Sequence, residues 1–139
     1  MIGGLVALKV DPNIMAKLAG QRMSMIVTGT NGKSTTTRMA ANALRTAYTV
    51  ATNDGGDNMD AGIVSALNQD LDADAICLEV DEMHVPHVMD ALSPTVLVLL
   101  NLSRDQLDRV GEINTIERRL REAVAAHPDT IVAVSYTHL

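Results

Sequence analysis

The stretch Met25 to Thr37, Met-Ile-Val-Thr-Gly-Thr-Asn-Gly-Lys-Ser-Thr-Thr-Thr, constrains the fold more than any other part of the chain. Met25-Ile26-Val27 is a short apolar run of the kind that forms a buried parallel strand. It breaks at Gly29 and Gly32, and a helix-compatible run starts at Lys33. Strand, glycine loop, Lys-Ser and helix, in that order, are the parts of a phosphate-binding loop. Loop N–H groups and the free N–H groups of the helix start converge on an anion in such a loop, aided by the helix dipole. The expected phosphate-binding set is therefore Gly29, Thr30, Asn31, Gly32, Lys33, Ser34 and Thr35. Lys33 is expected to reach the outer phosphates, and the Ser34 hydroxyl to ligate a magnesium ion. The strict G-x-x-x-x-G-K-[ST] pattern needs glycine at position 27, where this chain has Val27, so the loop is of a shorter type.

The rest of the chain alternates short apolar runs with helical patterns, which implies an α/β domain with a parallel sheet and helices on both faces. A lead-in of residues 1–24 holds an apolar segment, Ile2 to Val10, and a short helix begun by Asp11-Pro12 and ended by Gly20. After the loop, a helix is expected over about Lys33 to Ala47, with Met39, Ala40, Ala43 and Leu44 on its apolar face. Strands are expected at Tyr48 to Thr52, Ala75 to Glu79, Thr95 to Leu100 and from Thr130. The intervening helices are expected at about Asp60 to Leu67, up to Leu92, and about Ile113 to Ala126. The final residues, Val134 to Leu139, resemble the translated end of a sequencing-library transposase adapter and are set aside from functional reasoning.

Composition closes off several functions. A net charge of −6 with no basic cluster argues against a nucleic-acid surface. No apolar run approaches membrane-spanning length, and no signal peptide is recognisable. The single cysteine, Cys77, allows no intrachain disulfide, which fits a reducing compartment. Its place in the middle of a strand is a poor one for a nucleophile. With aromatic content of 1%, the core must be built from aliphatic side chains and methionine.

Ala75-Ile-Cys-Leu-Glu79 is the second informative stretch, a buried strand ending in a carboxylate. Ligands of open parallel sheets sit outside the carboxyl ends of strands, which makes Glu79 a candidate magnesium ligand beside Ser34. The polar loop Asn101 to Gly111 also follows a strand's carboxyl end and faces the same site, whereas Asn53 to Asn58 reads on local sequence as an ordinary strand-to-helix turn. The acidic run Asp70, Asp72, Asp74 reads as a solvated loop, lacking the glycine and terminal glutamate of a calcium loop. His84-Val-Pro-His87 lacks a cysteine partner for zinc and is read as no metal site.

These stretches together make residues 25–133 resemble the ATP-binding central domain of the Mur ligases, here incomplete. The matching residues are Thr28-Gly-Thr-Asn-Gly-Lys-Ser34, Glu79 after its apolar strand, and the Asn101 to Arg109 loop. Within the family the chain looks most like the Mur-ligase-type subunits of the glutamine-hydrolysing lipid II isoglutaminyl synthases. Leu8 to Ile14, Asp57 to Gly62, Leu78 to Glu82 and Asn101 to Arg109 carry that likeness. Gln106 stands where the peptidoglycan-precursor ligases have a histidine that helps hold a second metal ion, which leaves that ligand in question here.

The resemblance implies ATP and magnesium as cofactors, with Lys33 and Glu79 catalytic, Ser34 and Glu79 on magnesium, and Asn58 reaching the phosphates or substrate. A place for zinc exists only in the four-cysteine ribbon that such subunits carry downstream. The implied reaction is ATP-dependent amidation of the D-glutamate of lipid II to D-isoglutamine, in the cytoplasm at the inner face of the membrane. Its implied partner is a separate, GatD-like glutamine amidotransferase subunit that supplies ammonia. These residues alone are expected to lack that activity. Another Mur-superfamily amide ligase, such as one like folylpolyglutamate synthase, and a nucleotide-binding module without ligase activity remain alternatives. The absence of Asn-Lys-x-Asp counts against a GTPase.

Overall fold

The computed structural model describes residues 2–103 and 110–135. Five parallel strands form one sheet: β1 (Met23–Thr28), β2 (Val50–Thr52), β3 (Ala75–Glu79), β4 (Val96–Leu99) and β5 (Ile131–Val134). Six helices among the described residues accompany them: α1 (Ile2–Val10), α2 (Ile14–Ala19), α3 (Lys33–Leu44), α4 (Asp60–Gln69), α5 (Val85–Leu92) and α6 (Val110–Ala126). The strands lie in the order β2-β3-β1-β4-β5. The chain therefore runs from β1 to the edge at β2, returns to β3 beside β1, then crosses to the other side between β3 and β4. Such a reversal opens a crevice at the carboxyl ends of the strands beside it. The loops after β1, β3 and β4 all emerge there.

Alternation along the strands divides the core. Ile26, Ile76, Leu78 and Leu97 face a layer containing Met15, Ile63, Leu67, Val85, Met89 and Leu120. Met25, Val50 and Cys77 face α3, whose Ala40, Ala41 and Leu44 complete a smaller cluster. Helices thus cover both faces, as the alternating pattern implied. Fully buried side chains such as Ile26, Leu78 and Leu97 each contribute about 2 kcal/mol through removal from water.

Three local expectations change. Ile2–Val10 is a helix, although Gly3 and Gly4 disfavour one by propensity. Gly4 explains it, because a Cβ there would lie 2.2 Å from the Ala61 carbonyl oxygen, so only glycine lets α1 sit against α4. On α3 the buried positions are Thr37 and Ala41, while Met39 is 68% exposed and Ala43 also faces solvent. Of the expected apolar face, Ala40 and Leu44 do pack against the core while Met39 and Ala43 do not, and the buried Thr37 marks the centre of the face better than the methionine does. Finally, β5 extends through Val134, which pairs with Leu99 in register.

Candidate active site

The β1–α3 loop is shaped by two glycines in conformations that other residues avoid. Gly29 has φ of 142° and Gly32 has φ of 86°. Gly29 also passes so close to the β4 exit that a Cβ would lie 2.9 Å from Leu100 Cβ and 3.0 Å from the Asn101 backbone. The two loops are tied together by hydrogen bonds. Thr30 N–H donates to Asn101 O at 2.9 Å, Asn31 N–H to Asn101 Oδ1 at 3.0 Å, and Asn101 Nδ2 to Asn31 O at 2.9 Å. Ser103 N–H donates to Thr30 Oγ1 at 3.0 Å.

The main-chain donors of Thr30 and Asn31 are thus engaged with the neighbouring loop. The first helical N–H to reach a carbonyl is that of Thr36, bonded to Gly32 O at 3.0 Å. The free donors of the helix start therefore belong to Gly32, Lys33, Ser34 and Thr35, with the positive end of the dipole behind them.

Side chains complete the site from the exits of β2 and β3 and from the start of α3. Glu79, 3% exposed at the end of β3, accepts from Ser34 Oγ at 2.9 Å through Oε2 and from Asn58 Nδ2 at 3.4 Å through Oε1. Lys33 folds back over its own loop, donating to Gly29 O at 2.6 Å, and its ammonium lies 3.7 Å from Glu82 Oε2. Asn58 O accepts from Asp81 N–H at 3.0 Å, which locks the β2 and β3 loops together.

The Ser34–Glu79 pair fits a magnesium ion by its spacing. Two neighbouring ligands of an octahedral magnesium, each at about 2.0–2.1 Å, stand about 2.9 Å apart. The hydroxyl and carboxylate oxygens already have that separation. Of the expected residues, Ser34, Glu79 and Asn58 are joined by hydrogen bonds and Lys33 folds over the same glycine loop, while Thr35 is exposed on the first turn of α3. Gln106 lies outside the described residues.

Sequence reasoning missed Asn53 and underused Asn101. Asn53 is buried, and its side chain grips the backbone of Glu79. The signal available was an asparagine directly after a very short strand, where a side-chain amide can stand in for the next rung of the sheet. The histidines of His84-Val-Pro-His87 are engaged elsewhere. Their Nδ1 atoms lie 2.9 and 2.6 Å from the two oxygens of Asp60, joining the starts of α4 and α5. Cys77 is fully buried in β3, and burial pushes its thiol up to about 11, against a smaller opposing pull from Arg45.

Comparison with known proteins agrees with this arrangement. The Mur ligase middle domain matches residues 27–137. The chain is 35% identical over 137 residues to the MurT subunit of the glutamine-hydrolysing lipid II isoglutaminyl synthase of Streptococcus pneumoniae, covering 95% of this chain and 31% of that protein. It is 36% identical over 126 residues to the MurT subunit from Staphylococcus aureus, covering 88% and 29%. The chain thus spans about a third of the length of these relatives. The fold is also that of the MurF ligase from Thermotoga maritima, solved in complex with ADP, with a TM-score of 0.76 at 24% identity over 92% of this chain and 32% of that one. With a five-stranded parallel sheet, a β1–α3 glycine loop and most of its length matched, the chain belongs to the Mur ligase family through its middle domain.

Proposed function

We propose that this chain is the nucleotide-binding part of an ATP-dependent ligase that amidates the D-glutamate of lipid II to D-isoglutamine. The observation that carries the nucleotide reading is the Ser34 Oγ to Glu79 Oε2 approach of 2.9 Å beside a helix N-terminus and Lys33. The likeness to two MurT subunits over most of this chain supports the amidation. No helix among the described residues is long and apolar enough to cross a membrane.

The chemistry suits these side chains. A carboxylate is a poor electrophile, so it first takes the γ-phosphoryl group of ATP, forming an acyl phosphate and releasing ADP. Ammonia then forms the C–N bond and phosphate leaves. Transfer between two anions requires charge neutralisation more than covalent help. Lys33 supplies one positive charge, and the N–H groups of residues 32–35 hold the phosphates. Ser34 and Glu79 would hold magnesium, which shields the phosphate charge when bound. Asn58, hydrogen-bonded to Glu79, orients that carboxylate and borders the phosphate space. Ammonia is supplied by a glutamine amidotransferase subunit of the GatD kind, since buried Cys77 cannot serve as a glutaminase nucleophile.

The test is turnover by the full-length protein with its amidotransferase, using ATP, glutamine and lipid II. Lys33→Ala is expected to abolish isoglutamine formation while leaving the protein folded. Retained turnover would overturn the assignment of the loop.

A further inference from the structure

We infer that Glu82 is a built-in counter-anion for Lys33 that makes nucleotide binding depend on magnesium, a role resting on the nucleotide reading above. The Lys33 ammonium lies 3.7 Å from Glu82 Oε2, and both side chains are largely buried, at 13% and 12% exposure. Gly29 O at 2.6 Å and Thr30 O at 3.5 Å take two of the ammonium's three N–H groups, and Glu82 at 3.7 Å stands beyond ordinary hydrogen-bond distance. What the carboxylate adds is charge.

The consequence is electrostatic. Glu82 faces the Lys33 ammonium and Glu79 holds the Ser34 hydroxyl on the same helix start, so these three charged groups together carry a net negative charge. A bare nucleotide polyphosphate arriving there meets two carboxylates in a partly desolvated space, where Coulomb repulsion is weakly screened. It must also displace Glu82 from Lys33. A magnesium ion on Ser34 and Glu79 reverses the sign of the pocket, and only then are the phosphates attractive enough to draw Lys33 away from Glu82. Glu79 is the ion's ligand in this scheme. Glu82 is a positioning residue, holding Lys33 over its loop until the ion and nucleotide arrive together.

The experiment measures ADP affinity of this chain by calorimetry, with magnesium and with EDTA, in the parent and in Glu82→Gln. Glutamine keeps the size and polarity and removes the charge. The expected result is that Glu82→Gln strengthens magnesium-free binding at least about tenfold and magnesium-bound binding by less, so the ratio of the two dissociation constants falls. Glu82→Asp is expected to keep the parent ratio. An unchanged or larger ratio in Glu82→Gln would overturn the inference, as would a Glu82→Gln chain that no longer folds, since a counter-anion is dispensable for the fold. A parent chain that binds no magnesium·ADP at all would instead refute the nucleotide reading beneath it.

Discussion

Asn53 holds Glu79 by both sides of its backbone. Its Oδ1 accepts from the Glu79 N–H at 2.8 Å, and its Nδ2 donates to the Glu79 carbonyl at 2.8 Å. The same Nδ2 reaches the Asp57 carbonyl at 2.8 Å. Strand β2 ends at Thr52, one residue earlier, so the amide continues the sheet ladder where the main chain has turned away. This fixes the carboxylate at the exit of β3 and the loop that carries Asn58. Asn53→Ala leaves the buried Glu79 peptide unsatisfied, so a loss of about 2 kcal/mol in urea unfolding is expected, together with weaker magnesium·ADP binding. A loss within about 0.5 kcal/mol, the scatter of surface substitutions, would show that water replaces the amide.

Gly29 and Gly55 offer a paired comparison. At Gly29 a Cβ meets Leu100 and Asn101 within 2.9 to 3.0 Å at a φ of +142°, whereas nothing lies within 4 Å of one at Gly55. Gly29→Ala is expected to cost about 2 kcal/mol or more and to abolish nucleotide binding, because the two loops must part. Gly55→Ala is expected to be close to neutral in both measurements. Equal effects would mean that the β1 and β4 loops are not held together as described.

The thiol of Cys77 should be silent in the native protein. Burial raises its titration to about 11, and its Sγ lies 3.7 Å from the Thr37 carbonyl. Labelling by a small alkylating reagent at pH 8 is expected to follow global unfolding and to become rapid in denaturant. Fast labelling without denaturant would contradict the packing of α3 on β3.

Asp74 gives a pH dependence of definite sign. Hydrogen bonds from the Thr49 backbone N–H and then the Thr49 hydroxyl hold its carboxyl below the usual value of 3.8. A depressed folded value means that its contribution is present above the unfolded value and is lost as pH falls through the folded one. Asp74→Asn is therefore expected to lower the melting temperature at pH 7, with a difference that shrinks as pH falls below 3.8 and through the lowered folded value. A difference that persists undiminished into acid would exclude this origin.

The sequence was most legible where backbone geometry demanded a particular residue. Gly29 and Gly32 marked the loop because few other residues adopt their conformations, and Glu79 stood out as a carboxylate ending an apolar run. Strand β3 emerged with the expected bounds for the same reason. What stayed hidden depended on distant partners. Gly4 reads as a helix breaker until Ala61 lies against it, and Asn53 reads as a loop residue until β3 lies beside it. The Lys33–Glu82 approach likewise joins positions 49 apart, which no local pattern encodes.

The central claim is that Gly29 to Ser34 and Glu79 form a magnesium-nucleotide site, and equilibrium binding of ADP to this chain tests it most directly. The account predicts saturable binding that requires magnesium, is lost in Lys33→Ala, and is weakened at least about tenfold in Glu79→Gln with the fold intact. No saturable binding, or binding that both variants retain, would contradict it.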